Sequence, residues 1–381
     1  MTHDPKGAGP HAGPHAGHGE GLGRRSLAEL DDGTEGLESL TSLDPLHTKT
    51  ASDLLAAMSL TSFAGRRVGE AADILHTMAR DPSCRVVATL SGAMTVAKMS
   101  LVIVRMIQHG MIDAIVSTGA LMSHGLSEGI GLKHYKVRND LDDEAMYKKG
   151  YNRVYDTLEL ESNLNSVEAF VRRELEKLDP KETLTSERFC RVLGEALLEH
   201  GHEDSILGAA AKRNIPVYIP AFTDCEVGLD VATWAIRRAI ASGGTARTPE
   251  ELFAEGRIPA YNPFGDLLSY ARFIGSAERL GIFTIGGGVP RNWAQQVGPF
   301  YDLLNVRLGL DLTPPRFHYG IRLCPEPVHW GGLSGCTYSE GVSWGKFVPE
   351  REGGRYAEVH CDATAIWPLI VRGVLERLGA A

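Results

Sequence analysis

From residue 85 onward, short apolar runs alternate with longer stretches of helical periodicity, and this alternation restricts the possible folds more than any other feature of the chain. "RVVATL" (85–90) reads as a buried strand, "AKMSLVIVRMIQHG" (97–110) as a helix closed by Gly110, and "DAIVS" (113–117) as the next strand. "NSVEAFVRRELEKL" (165–178) sets Val167, Phe170, Val171, Leu175 and Leu178 on one face, and two further helices fit 186–200 and 205–213. The strand-like runs "PVYIP", "IFTI" and "AEVHC" follow, each with a helix-like segment behind it. Upstream, Val68, Ala72, Leu75 and Ala79 recur at helical spacing, so a helix is expected over 65–80. Strands alternating with helices imply an α/β fold, a mostly parallel sheet with helices on both faces, because parallel neighbours need a crossover. No internal repeat and no second break in composition divides it. The reading is a tail over 1–25, an N-terminal helical extension over 26–80 and one α/β domain over 81–381.

The 381 residues are 43% hydrophobic and 23% charged, the profile of a soluble globular protein with ample material for a core. No run approaches the length of about 18 apolar residues that a membrane-spanning helix needs, so no membrane partner is expected. A formal net charge of −9 argues against nucleic acid as a partner and is compatible with a cationic substrate. Cys84, Cys190, Cys225, Cys324, Cys336 and Cys361 form no C-x-x-C pair, which excludes zinc-ribbon spacing and points to reduced thiols in the cytoplasm. The opening "MTHDPKGAGPHAGPHAGHGEGLGRR" lacks the apolar segment of a signal peptide and has the composition of a disordered tail. Its His3, His11, His15 and His18 could catch a metal loosely, but a flexible tail with incidental histidines explains them. "EHGHE" (199–203) has metal-ligand residue types, yet it lies where a helix ends at Gly201, and the helix dipole accounts for histidine there. No metal is expected.

In open α/β sheets, ligands bind beyond the carboxyl ends of the strands. Here those ends carry "SGA" (91–93), "STGA" (117–120), "TDCE" (223–226), "GGGV" (286–289) and "CDAT" (361–364). Small residues let a ligand approach the backbone, and amides at a helix start can hold phosphate. Asp224 and Asp362, each just past a strand, could accept hydrogen bonds from ribose hydroxyls. Together these loops suggest a dinucleotide site, although no G-x-G-x-x-G opens the first helix as it does in ordinary Rossmann dehydrogenases. A last motif, "GVSWGK" (341–346), leads a tryptophan and a glycine into Lys346. A lysine in such a turn is ordinarily a solvated charge. Held against an indole it loses water, and desolvation moves an amine toward the pH range where it is a nucleophile.

With these loops in order, the chain resembles the deoxyhypusine synthase family, and more closely its deoxyhypusine synthase-like members, from about residue 60 to the C-terminus. The resemblance rests on "QHGMIDAIVSTGA", "YNRVYDTLELESN", "IPVYIPAFTD", "TIGGGVPRN", "GGLSGCTYSEGVSWGK" and "VHCDATAIWPLI", in this order and spacing. It implies a Rossmann-like, NAD-binding catalytic domain, a homotetramer and active sites where two subunits meet. It also implies a reaction: NAD removes hydride beside the secondary amine of spermidine, an aminobutyl group is held as an imine on the lysine, and an acceptor amine takes it. By position, Lys346 would carry the imine, Glu340 would bind a substrate amine, and Trp344 would pack along the polyamine or the lysine stem. Ser91, Thr118, Gly119, Asp224, Gly286, Gly287, Gly288, Asp362 and Ala363 would contact NAD.

Several positions depart from the protein-modifying members of that family. Their T-S-N segment is Ser91-Gly92-Ala93, and an acidic run after the second strand is replaced by "LMSHG", which puts His124 there. T-D-G-S-L-G-D becomes "TDCEVGLD", so Glu226 is new and the second acid moves to Asp230. A substrate-facing histidine becomes Asn292, and G-S-D-S-G becomes "GGLSG", with Leu333 for an aspartate and Ser334 kept. Glu226, Asp230 and Trp330 are gained nearby. His124, Glu226, Asp230, Asn292, Trp330 and Ser334 are therefore the substrate-facing candidates. The acceptor is either a translation-factor lysine, as the family name suggests, or a free diamine such as putrescine, as in homospermidine synthesis. The departures lean toward the free amine. A sirtuin-like deacylase is disfavoured by the absence of paired cysteines, and a non-catalytic NAD- or polyamine-binding protein would not need both Lys346 and Glu340.

Overall fold

The computed structural model describes residues 33–138, 140–179, 182–245, 247–248, 250–251 and 261–380; the tail expected over 1–25 lies outside them. The chain divides into two compact units, Met1–Leu40 and Thr41–Ala381. The described strands, all in the second unit, are β1 (Cys84–Leu90), β2 (Ala114–Ser117), β3 (Tyr135–Lys136), β4 (Tyr151–Val154), β5 (Thr157–Leu160), β6 (Val217–Tyr218), β7 (Arg279–Ile285), β8 (Tyr319–Leu323) and β9 (Arg355–Val359). The helices of its first half are α1 (Ala51–Ser59), α2 (Phe63–Arg80), α3 (Ser100–Gln108), α4 (Gly119–Gly129), α5 (Asp143–Lys148), α6 (Glu161–Leu175) and α7 (Ser186–Glu199). Those of its second half are α8 (Ile206–Lys212), α9 (Glu226–Ala241), α10 (Pro263–Gly275), α11 (Gly288–Gln295), α12 (Val297–Leu308), α13 (Tyr338–Ser343) and α14 (Ala363–Arg377).

Six strands form one all-parallel sheet in the order β6-β2-β1-β7-β8-β9, while β3, β5 and β4 make a small antiparallel sheet. Numbered by their succession in the chain, the six run 3-2-1-4-5-6, the doubly wound Rossmann order. The winding reverses between β1 and β7, which pair in register from Cys84↔Arg279 to Leu90↔Ile285. A buried bond from Thr89 Oγ1 to Thr284 Oγ1, 2.8 Å long, ties this seam.

The period-two geometry of the strands divides the core in two. Val86, Ala88 and Leu90 of β1, with Ile115, Phe283 and Ile321, join one apolar cluster with α2, α3, α4 and α14. Val87, with Ala114, Val116 and Ile282, joins a second cluster with Tyr270 and Ile274 of α10, Ala294 of α11 and Val297 of α12. Helix α1 starts with a capping box built by Thr50 and Asp53. Close approach fixes its place: a Cβ on Gly69 of α2 would lie 2.4 Å from the Ser59 nitrogen. Among the described residues no helix is long and apolar enough to cross a membrane.

Local chemistry explains where the elements differ from the sequence reading. Helix α3 starts at Ser100 rather than 97, because Lys98 takes a left-handed φ of 63°. "PVYIP" yields only Val217–Tyr218, since the flanking prolines have no N–H to give a ladder. Strand β8, "YGIRL", and the small sheet were not expected: Arg322 interrupts the apolar run of the first, and the strands of the second are short and mostly polar.

Trp367 of α14 is fully buried, 6.1 Å from the Phe283 ring, and its Nε1 donates to Met106 Sδ at 3.3 Å. Trp367→Ala removes the largest fully buried side chain behind the seam and is expected to cost about 3–5 kcal/mol, read from the urea midpoint. A loss below about 1 kcal/mol would show that this face does not depend on the indole.

Candidate active site

The winding reverses between β1 and β7, and the loops that follow these strands meet there. Ser91 N–H donates to the Ile285 carbonyl at 3.1 Å, and Ser91 Oγ donates to the Gly287 carbonyl. Gly286 and Gly288 hold φ of 73° and 63°, conformations that favour glycine, and the space beside Gly288 is open. Helix α11 begins at this run. Thr118, the N-cap of α4, donates from Oγ1 to the Gly92 carbonyl at 2.8 Å, and Gly119 packs so closely on Cys225 that a Cβ would lie 2.2 Å from its sulfur. Asp224 is exposed in the turn before α9. Asp362 caps α14, accepting from Thr364 N–H at 2.9 Å, and Ala363 behind it is buried. Asp362 also lines a cavity of about 860 Å³ with Lys98, His134, Lys136, Tyr135 and Thr364.

One turn into α11, Asn292 faces a second cavity. This groove, about 800 Å³, is lined by Asn292, Gln295, Asp302, Cys336, Glu340 and Lys346, among others. Lys346 Nζ donates to Asn292 Oδ1 at 3.2 Å and lies 6.0 Å from the centre of the Trp344 ring. Burial lowers the Lys346 pKa from the usual lysine value; Cys336 and Glu340 act against the shift and Arg291 with it. Trp344 is 65% exposed, so the indole covers only one side of the amine. Glu340 sits in the first turn of α13, whose N-cap Thr337 accepts from the Glu340 N–H at 3.0 Å. Trp330, 71% exposed, stands outside the groove while its neighbours Val328 and Gly331 line it. Ser334 is packed against the glycine run, its Cα 2.4 Å from where a Gly287 Cβ would be. It docks the Lys346 loop onto that run.

Two buried arginines hold that loop, and sequence reasoning missed both as site residues. Arg291, 2% exposed, donates to the carbonyls of Cys336 at 2.7 Å and Leu333 at 3.4 Å, with its guanidinium 5.3 Å from the Tyr338 ring centre. Arg322 donates to the Ser334 and Cys336 carbonyls and pairs at 2.7 Å with Glu358, which also accepts from Tyr338 N–H at 2.7 Å. A lone arginine inside the apolar run "YGIRL" is the signal that marks Arg322, because a buried guanidinium must find partners.

The remaining candidates lie elsewhere. His124 on α4 and Glu226 and Asp230 on α9 belong to helices whose apolar residues, among them Leu121, Val227 and Val231, join the core on the other face of the sheet from the groove. Glu226 and Asp230 are one turn apart. Burial, then the charges of Glu168 and Glu226, push the Asp230 carboxyl up to about 6. His124 Nδ1 bonds to Glu159 Oε2 of β5, and His134 Nε2 lies 3.4 Å from the same oxygen. Burial opposes a charge on His124, but the Glu159 bond and charge and the Glu226 charge outweigh it and raise its pKa. Burial likewise opposes ionisation of Glu159, yet bonds from His124, His134 and Ser127 hold its carboxyl far below the usual range. Among the described residues, His124, His134 and Glu159 are the group whose types and spacing could hold a metal ion. Lys98 Nζ, 2.8 Å from His134 Nδ1 and 3.5 Å from Glu128, speaks against that: an ammonium only donates, so Nδ1 accepts and Nε2 carries the proton.

The all-parallel sheet in the order 3-2-1-4-5-6, with apolar helices packed on both faces, defines a Rossmann-type α/β protein. Residues 53–374 match the family model "Deoxyhypusine synthase", and the chain belongs to the deoxyhypusine synthase family, a family of transferases. It is 31% identical over 330 residues to "Probable deoxyhypusine synthase 2" of Methanosarcina acetivorans, covering 86% of this chain and 88% of that one. It is 29% identical over 321 residues to a "Deoxyhypusine synthase-like protein" of Chlorobaculum parvum, covering 83% and 84%. A solved structure of an Entamoeba histolytica protein assigned to deoxyhypusine synthase shares the fold, with a TM-score of 0.53 at 15% identity over 88% of this chain and 96% of that one.

The raised Asp230 pKa has a consequence for stability. Its carboxyl holds a proton more tightly in the folded chain than in the unfolded one, so stability falls as pH rises from the unfolded value near 4 to the folded value of about 6. Asp230→Asn removes that loss. Partial exposure reduces the effect, so a gain of about 1 kcal/mol is expected at neutral pH and none at ~pH 4, read by urea unfolding at both. An equal change at the two pH values would show that the carboxylate is not strained.

Proposed function

We propose that this chain is an NAD-dependent aminobutyl transferase that takes a four-carbon unit from spermidine or a related polyamine, carries it on Lys346 as an imine and delivers it to an acceptor amine. The observation that carries this reading is the state of Lys346: a half-buried amine beside a groove, bonded to a neutral amide and, among the described residues, without a carboxylate in salt-bridge range. A surface lysine would be solvated. This one is desolvated beside the fixed cation of Arg291, which favours the neutral form that can attack a carbon.

What supports a dinucleotide here is the position of these loops at the winding reversal, the left-handed turns at Gly286 and Gly288, and the open backbone at Gly288. Ser91, Thr118, Gly119, Asp224, Gly286, Gly287, Gly288, Asp362 and Ala363 are the residues that would hold NAD. When bound, NAD supplies the acceptor, and later the donor, of a hydride. The chain's own residues do the rest. Glu340 steadies a cationic end of the polyamine, Trp344 lies along its methylenes, and Lys346 attacks the oxidised carbon as 1,3-diaminopropane leaves. The acceptor amine then displaces Lys346. In one chain the groove and the α4–α9 group lie on opposite faces of the sheet, and we take a second copy of the chain to bring them together. This agrees with a homotetramer whose active sites lie between subunits, working in the cytoplasm.

Glu226 and Asp230 favour a free diamine over a translation-factor lysine as acceptor. Two acids one turn apart, one of them strained by burial and like charge, are relieved by a cation, and only a free diamine brings a second cationic end. Trp330 and His124 stand among the same substrate-facing candidates.

Borohydride added to protein, NAD and spermidine should trap an aminobutyl adduct on Lys346, found by peptide mass spectrometry. Lys346→Arg should bind NAD and trap nothing, since guanidinium stays protonated. Undiminished 1,3-diaminopropane release in that variant would refute the mechanism. With putrescine and the translation factor both present, putrescine should be labelled first; preferential labelling of the factor's lysine would reverse the acceptor assignment. NAD and spermidine binding with no turnover would instead make the chain a binding protein.

A further inference from the structure

Among the described residues, no histidine lines the Lys346 groove. Its titratable lining residues are Arg291, Asp302, Cys336, Glu340 and Lys346. Yet a polyamine arrives protonated, because an alkylamine titrates near pH 10.4, and a protonated nitrogen has no electron pair with which to expel a hydride or attack an imine. A group that titrates near neutrality must therefore remove a proton at the site.

His124, on the α4–α9 side that a second copy of the chain brings to the groove in the reading above, is held for this. The ring of His124 is 12% exposed, and its Nδ1 is committed to the Glu159 carboxylate, which is 1% exposed. Glu159 reaches α4 from β5 of the small antiparallel sheet, from 35 residues away in the chain. His134, with a fully buried side chain, points its protonated Nε2 at the same Glu159 oxygen, and Lys98 fixes the His134 tautomer from behind. Lys98 is paired with Glu128, which also accepts a bond from Ser100 Oγ at 2.5 Å. Within the His124 ring, Nδ1 is thus engaged and Nε2 has no hydrogen-bond partner among the described residues. Glu226, at the start of α9, is the other charge that acts on the ring.

We propose that His124 is a catalytic base that takes a proton from the substrate's cationic amine, and that Glu159 is the positioning residue that aims its ring. The inference rests on the transferase reading above. In the step, an N–H bond of the ammonium breaks, the proton goes to Nε2, and the electron pair stays on the substrate nitrogen. The positive charge passes to an imidazolium flanked by Glu159 and Glu226, so charge is conserved and no further reactant is needed. His124 and His134, the latter oriented by Lys98, keep Glu159 ionised, which stops the carboxylate from taking the proton itself.

The test follows NADH formation from NAD and spermidine across pH. In the wild type, kcat/KM should rise with pH through the His124 titration. His124→Asn keeps an amide N–H toward Glu159 but no base; it should lose that limb and about 10²–10⁴-fold in rate. Glu159→Gln, nearly the same shape, should keep the limb but move it to lower pH, a displacement that loss of folding alone does not produce. Thermal melts of both variants report folding. Histidine NMR supplies a readout that does not need turnover: spermidine should lower the His124 pKa in the wild type, and much less in Glu226→Gln. If the wild type forms no NADH but spermidine still shifts His124, the transferase reading fails and the amine contact stands. An unchanged acid limb in His124→Asn, a His124 titration indifferent to spermidine, or zinc bound one per chain and lost on His134→Asn would each overturn the proposal.

Discussion

The pairing of β1 with β7 is the constraint on which the rest depends. Its seven-residue register joins the two halves of the chain, and from this seam they wind in opposite directions. A parallel sheet needs crossovers, and crossovers of one hand must lie on opposite faces once the direction of winding reverses. The two apolar clusters, the meeting of the loops after β1 and β7, and the placing of the Lys346 groove and the His124 helix on opposite sides all follow from it. The bond between Thr89 and Thr284 satisfies two hydroxyls within the seam, where unpaired polar groups would weaken the pairing.

Much of this was legible in the chain. Apolar runs located β1, β2 and β7, helical spacing located α2, α6 and α7, and the runs of small residues fall in the loops that follow β1 and β7. What escaped was of two kinds. Polar residues inside structure disguised elements: Arg322 hid β8, and the short polar strands around Tyr151 and Thr157 hid the small sheet. Partnerships between distant residues left no local trace. Nothing in "DTLELE" says that Glu159 will be buried against His124, and nothing in "TIGGGVPRN" says that Arg291 will hold the loop before Lys346. Long-range pairing is a property of topology, which periodicity constrains without specifying.

The loop 331–337 shows how buried charge is used here. Arg291 and Arg322 donate to backbone carbonyls that an apolar core would leave unsatisfied, and Glu358 neutralises one of them while also holding the first residue of α13. Replacing such a network by apolar residues is often neutral or favourable for stability, so stability alone is a weak reason for it. Here it has a positional effect. It fixes the loop between Ser334, seated on the glycine run, and Lys346, whose amine depends on a fixed distance from Asn292 and Arg291.

Lys346 and His124 are tuned in opposite senses. Burial and the Arg291 charge move the amine down from the alkaline range, while the charges of Glu159 and Glu226 move the imidazole up from its ordinary value. In the proposed mechanism the lowered amine is suited to nucleophilic attack and the carboxylate-held imidazole to proton removal. The two shifts have different physical sources and so respond differently to their surroundings. Desolvation of Lys346 deepens when ligand fills the groove, whereas the carboxylate support of His124 is built into the fold and is present before any ligand arrives. In the mechanism proposed above, the fold prepares the base beforehand, and ligand filling the groove moves Lys346 further toward the neutral form that attacks.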